Sequence, residues 1–127
     1  MAEELVLRAV AAFIARDLDG LLELADPQIE LRSLLTEAER PLYHGHAGVT
    51  EWFDAVFGVF PDWRPQPRRP SYDENGAVVV PLDVTATGAG SGVPIDQTYW
   101  LGARVEAAKI TFFGFFRTEP DALEAVR

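Results

Sequence analysis

Between Tyr43 and Trp63 the chain reads YHGHAGVTEWFDAVFGVFPDW, and this stretch limits the possible fold more than any other. Val49, Trp52, Phe53, Val56, Phe57 and Phe60 recur every three or four residues, which gathers large apolar side chains on one side of a helix. Thr50, Glu51 and Asp54 fall on the other side. Gly45 and Gly48 turn the chain into the helix, and Pro61-Asp62 ends it, because the residue before a proline is pushed out of the helical region and proline has no amide hydrogen to donate. A helix face so rich in rings needs a broad apolar partner. A curved sheet that also leaves a pocket is the natural one.

The flanking segments supply such a sheet. Leu5, Val6, Ala9, Val10, Phe13 and Ile14 predict an amphipathic helix from Glu3 to Arg16, and Leu18 to Ala25 predicts a short second one, closed by Asp26-Pro27. Gln28 to Leu34 reads as a first strand and Thr36 to Pro41 as a polar loop. Prolines at 65, 67 and 70 reduce Arg64 to Tyr72 to an irregular edge strand, since each one deletes a ladder donor. Asp73-Glu74-Asn75-Gly76 is a tight turn, with Asn-Gly supplying the positive backbone angles it needs. Strands follow over Ala77 to Thr87, Val93 to about Val105, and Lys109 to Arg117, and Thr118-Glu119-Pro120-Asp121 starts a C-terminal helix, Asp121 to Val126. The last three strands succeed one another without helices, which excludes a parallel doubly wound sheet. The Gly88 to Gly92 connection lacks the lysine of a phosphate-binding loop and no helix follows it, so it reads as a hairpin.

In order and spacing these pieces resemble the SnoaL-like branch of the nuclear transport factor 2-like superfamily. The likeness rests on the Tyr43, Gly45 and Gly48 run, the Phe60-Pro61-Asp62 end, Val78-Val79-Val80, Thr85-Ala86-Thr87-Gly88 to Gly92-Val93, and Lys109-Ile110. It implies an α+β cone, with N-terminal helices packed in a strongly curved, mostly antiparallel sheet, and one domain over residues 1–127. It also implies a homodimer and a pocket for a small hydrophobic molecule. The superfamily hosts isomerases, cyclases, epoxide hydrolases and proteins without known chemistry, so fold alone does not choose a reaction.

Charge and composition exclude other classes. A formal charge of −9 repels nucleic acid and anionic membrane at long range, and Arg64, Arg68 and Arg69 read as a solvated edge strand rather than a binding patch. The acidic start Met1-Ala2-Glu3-Glu4 is unlike a secretory signal, and no apolar run approaches the roughly 20 residues that span a bilayer, so a cytoplasmic protein is expected. There is no cysteine, hence no thiolate nucleophile and no cysteine-bound metal. His44 and His46 stand two apart, but a metal site would need a third ligand such as Glu30 or Asp83 that nothing in the sequence places beside them. Neither metal nor cofactor is expected, and a histidine capping backbone groups at the helix start is the simpler reading. Ser33, Ser71 and Ser91 have no strand-to-helix elbow around them and are not read as nucleophiles.

General acid–base chemistry is the enzymatic option, with Glu30, Asp83 and Asp96 as the acids to weigh. Asp83 shares a face with Val79, Pro81, Thr85 and Thr87, a mixed row that is either pocket-lining or wet. Carried over by resemblance, the tyrosine of the ketosteroid isomerases falls on Phe13, their base near Arg32, and their second acid near Tyr99 or Trp100. The arginine that precedes the epoxide hydrolase aspartate falls on Pro81, and the last strand, Thr111 to Phe116, lacks the cyclase acid. What remains as a catalytic set is Asp83 as base, Tyr43, Tyr99 or His44 as proton donor or orienting group, and Arg32 as charge stabiliser. A pocket would be lined by Phe13, Tyr43, Trp52, Phe53, Phe57, Tyr99 or Trp100, and Phe112 or Phe113, rings suited to a flat apolar ligand. Two functions follow: an enzyme acting on a small apolar carbonyl or polyketide-like compound, or a non-catalytic binder or dimeric interaction domain. Phe113 and Phe115 lie on one face of the last strand and Phe112 and Phe116 on the other, so both faces look buried, and a second subunit on the convex face is the expected cover.

Overall fold

The computed structural model describes residues 2–33, 42–87 and 94–127. Its elements run α1 (Ala2–Ala15), α2 (Leu18–Leu24), β1 (Ala25–Arg32), β2 (Leu42–His44), α3 (Gly45–Val59), β3 (Arg64–Pro67), β4 (Tyr72–Glu74), β5 (Ala77–Thr87), β6 (Pro94–Glu106), β7 (Lys109–Phe116) and α4 (Glu119–Val126). Local chemistry explains the boundaries. Asp17 caps α2 by accepting from the Gly20 amide at 3.0 Å, and Thr118 caps α4 by accepting from Asp121 at 3.3 Å. Gly45 opens α3 at a φ of +72°, which an L side chain rarely adopts. The α3 helix ends as Phe60 donates back to the Val56 carbonyl, just before Pro61.

The sheet runs β2-β1-β7-β6-β5-β3, with β4 also on β5. Only β1 and β7 pair in parallel; the other pairs are antiparallel, giving a curved α+β sheet that holds the N-terminal helices in its hollow. The proline-rich segment interrupts the edge: β3 ends at Pro67 and β4 begins at Tyr72, and between them the Arg68 and Ser71 amides still donate to the Pro81 and Val79 carbonyls of β5 at 2.9 and 2.8 Å. Asn75 and Gly76 take φ of 54° and 80° in the following turn. Several boundaries differ from expectation: α4 begins at Glu119 rather than Asp121, and Asp73 and Glu74, read as turn, belong to β4. β1 begins at Ala25 rather than Gln28, with an irregularity before Glu30, and the short strand β2 precedes α3. The loop expected over 36–41 and the glycine connection over 88–92 lie outside the described residues.

Alternation separates the two faces. Val78, Val80, Leu82, Val84 and Ala86 of β5, Tyr99, Leu101 and Ala103 of β6, and Phe113 and Phe115 of β7 join Val6, Val10, Phe13, Trp52 and Val56 in one core inside the hollow. Outside it, Ala77, Val79 and Phe116 pack with Ala122 and Val126 of α4, flanked by Tyr72, Trp100 and Phe112. The chain thus covers much of its own convex face, where a partner subunit had been expected as the cover. Gly102 permits it, since a Cβ there would stand 3.1 Å from Val126, and Arg104 holds the helix end by donating to the Val126 carbonyl.

Candidate functional site

The helix α3 and the inner row of the sheet bring the predicted rings together as packed core. Phe13 lies 5.0 Å from Trp52 and 5.4 Å from Phe113, centroid to centroid, and Trp52 stacks on Phe115 at 5.5 Å. These are contact distances with no room for a guest between the rings. Trp52 also donates from Nε1 to Ser33 Oγ at 2.8 Å, and Ser33 is the sole fully buried polar or charged residue among those described. That serine, set aside as a nucleophile, is an anchor for the indole. Trp63, which no sequence signal assigned to the site, stands nearly perpendicular to Phe13, Trp52, Phe57 and Phe115, and its buried Nε1 has no hydrogen-bond partner among the described residues. Tyr43 is buried beneath α3, while Phe53 packs on Phe57 at 4.8 Å and Phe57 carries the Arg16 guanidinium 4.2 Å above its ring.

The groups chosen for acid–base chemistry are on the other side of the sheet. Asp83 is paired in register with Thr98 and stands in the outward row with Val79 and Pro81, because its neighbours Leu82 and Val84 fill the hollow. Its carboxylate accepts from Arg68 Nη2 at 2.8 Å and from Thr98 Oγ1 at 2.9 Å. The Arg68 hydrogen bond and that of Thr98 hold its pKa below the usual carboxylate value, against a small opposing effect of desolvation. A base at this place would meet no proton inside the cone, so the role given to Asp83 does not fit its position. Arg32 and His44 are likewise outside: Arg32 lies 5.9 Å over the Phe116 ring, and His44 is exposed opposite Glu30. Trp100 and Phe112, taken as pocket-lining alternatives, flank α4, and it is Tyr99 and Phe113 that face inward. The physical reason is one residue of alternation, which moves every side chain of a strand to the opposite face.

Of the proposed catalytic set two residues belong to the core inside the hollow: Tyr43, next to α3, and on β6 Tyr99. Tyr99 sits opposite Leu82, almost fully buried. Burial pushes its phenol above the ordinary tyrosine value, opposed by the positive charge of Arg117 and a hydrogen bond from Gln97. Gln97 belongs to the same inward row of β6, and Arg117 follows Phe116, the partner of Trp100, so it comes across from Tyr99. Sequence reasoning missed both; the signal was available in the alternation Phe113, Phe115, Arg117. The expected histidine cap is not made: His44, at the N-cap of α3, has no side-chain cap hydrogen bond, and His46 Nε2 instead hydrogen-bonds to the Ala25 carbonyl of β1 at 2.9 Å. Among the described residues no three His, Asp or Glu side chains gather as a metal site, and no helix is long and apolar enough to cross a membrane.

A family model described as a SnoaL-like domain matches residues 6–113. No curated protein matches the chain by sequence. Among solved structures, TerC co-crystallized with polyporic acid is similar at a TM-score of 0.81 and 21% identity, over 98% of this chain and 96% of that one. A candidate polyketide cyclase from Sinorhizobium meliloti superposes at 0.71 and 18% identity, over 88% and 93%. A protein from Catenulispora acidiphila with a ketosteroid isomerase-like fold, in complex with trimethylamine, gives 0.78 and 14% identity, over 97% and 92%. At such identities the likeness establishes the fold.

Proposed function

Because the chain belongs to the family of SnoaL-like domains, we propose that it takes up a small, largely apolar molecule at the open end of its cone, as a binder rather than as a carboxylate-dependent catalyst. The observation that carries this reading is the distribution of charge across the sheet. Every Asp and Glu among the described residues is at least partly exposed, and none belongs to the buried core. Acid–base catalysis in an apolar cavity needs a desolvated carboxylate within hydrogen-bond reach of the proton it moves. The inner face offers a donor instead, the Tyr99 phenol. The structurally similar TerC, co-crystallized with polyporic acid, supports the same reading by analogy of fold.

The test is a thermal-shift screen of small aromatic and polyketide-like compounds, followed by Asp83→Asn in whatever binding or turnover is found. A ligand that raises the melting temperature equally in both proteins supports the binder. Turnover that disappears in Asp83→Asn restores the enzyme reading and with it a role for the outer face.

A further inference from the structure

Three donors meet where the inward face reaches solvent: Tyr99 is buried, whereas Gln97 and Arg117 are exposed. Gln97 and Tyr99 are successive inward side chains of β6, set against Val84 and Leu82 of β5. Arg117 extends the inward row of Phe113 and Phe115 and comes level with Tyr99 across the β6–β7 pair, which is in register at Trp100 and Phe116. Leu82, Val84, Leu101 and Phe115 form the apolar floor around them. Asp83, Asp96 and Thr98 belong to the opposite row, and Asp83 is already matched with Arg68. The inward cluster therefore presents hydrogen-bond donors and one positive charge over hydrocarbon, with no described carboxylate in its row to neutralise it.

We propose that Tyr99, Gln97 and Arg117 form a recognition site for an oxygen bearing full or partial negative charge, a carboxylate, phenolate or enolate, on an otherwise flat and apolar ligand. The site rests on the binding reading above and specifies which end of the guest is read. A protonated phenol and a guanidinium both donate, and donors aimed at a charged oxygen make shorter and stronger bonds than neutral pairs. Water competes less at the buried Tyr99 than at the exposed Gln97 and Arg117, so the phenol is the donor that gains most from its surroundings. The charge must be local, since the molecule as a whole carries −9 and repels anions at a distance.

Isothermal titration with naphthoate and with methylnaphthalene at neutral pH tests the site, the two probes sharing a ring system and differing in the charged oxygen. Naphthoate is expected to bind at least about tenfold more tightly, the worth of one hydrogen bond to a charged group. Arg117→Gln should remove most of that preference while leaving methylnaphthalene unchanged, and Tyr99→Phe should reduce it. Arg68→Gln, on the outer face, removes the same formal charge and should leave the preference intact. Equal affinity for the two probes overturns the recognition site while the binding reading stands. Binding of neither probe counts against both. A naphthoate preference that survives Arg117→Gln and Tyr99→Phe, or that falls equally in Arg68→Gln, also overturns the assignment.

Discussion

The two faces of one strand differ more than any two elements of this molecule. On β5, Val78, Val80, Leu82, Val84 and Ala86 point into the hollow, and the residues between them include Asp83 and the partly solvated edge of the sheet. The inner face is held by ring and aliphatic contact, with the Ser33 hydroxyl anchoring the Trp52 indole. The outer face is held by a mixture: an ion pair and a threonine at the Asp83 end, and the α4 helix at the Val79 end. Stability and charge have been placed on opposite sides. Chemistry that needs both a dry cavity and a carboxylate has no described residue to use, whereas recognition by donors at the inner rim does.

If the inner face carries the stability, damage there should dominate. Trp52→Ala removes a side chain with no exposed surface, its stacking on Phe115 and its bond to Ser33, and should cost about 3–5 kcal/mol in urea unfolding. A loss below about 1 kcal/mol would show that the ring cluster is not where the fold is held. The outer face should respond less. Deleting Glu119 to Arg127 strips Ala122 and Val126 from Ala77, Val79 and Phe116 and should cost about 2–3 kcal/mol, the burial of one to two aliphatic side chains. The uncovered patch should then associate. Light scattering of the truncated and intact chains at micromolar concentration sharpens the comparison: if only the truncated chain self-associates, α4 occupies the surface a second subunit would use, and if the intact chain is a dimer, the interface lies on what α4 leaves open.

Much of this division was legible beforehand. The spacing of Val49, Trp52, Phe53 and Val56 located α3, Asn75-Gly76 located its turn, and the prolines at 65 and 67 explained a sheet edge that breaks. The face of Asp83 was legible too, because a row of Val78, Val80, Leu82, Val84 and Ala86 with no polar member has to be the buried one. The resemblance to catalytic relatives pulled in the other direction and gave an outward acid an inward role. The placement of α4 was not readable in the same way. A short helix with a narrow apolar stripe can dock on any patch that fits, and the fit is made by Gly102 and Phe116 from strands distant in sequence. Arg117 was missed because it was read as the end of a strand, although one more step of alternation puts it beside Tyr99.

Which residues share a face depends on strand register, and register is fixed at the turns. The β6–β7 turn is built from Ala107 and Ala108 at φ of 50° and 63°, a conformation in which a Cβ is unfavourable by about 1–2 kcal/mol per residue. Ala108→Gly should therefore stabilise the protein by about 1 kcal/mol, with an unchanged pairing of Arg104 with Phe112 and Ala103 with Phe113. A decrease in the urea midpoint would mean that the turn, unlike Asn75-Gly76, gains more from its side chains than it loses in strain.

The smallest effect is expected at the residue on which the enzymatic reading rested. Asp83→Asn keeps a side chain able to accept from Arg68 and Thr98, and the pair it breaks is exposed on both sides, where ion pairs contribute little. At neutral pH the melting temperature and the binding of apolar ligands should be unchanged within error. The pH dependence has a definite sign. The folded-state pKa of Asp83 is depressed below its unfolded value of 3.8 by the Arg68 and Thr98 hydrogen bonds, so its contribution is fully present above that value and is lost as pH falls through the folded-state pKa. Wild type and Asp83→Asn should accordingly differ most above pH 4 and converge in more acidic solution, by an amount comparable with the scatter of thermal melts. A large difference at neutral pH, or one that grows on acidification, would mean that the outer face carries more of the fold than its exposure implies. A ligand whose binding is lost in Asp83→Asn but kept in Arg117→Gln would move the recognition site from the inner face to the outer one.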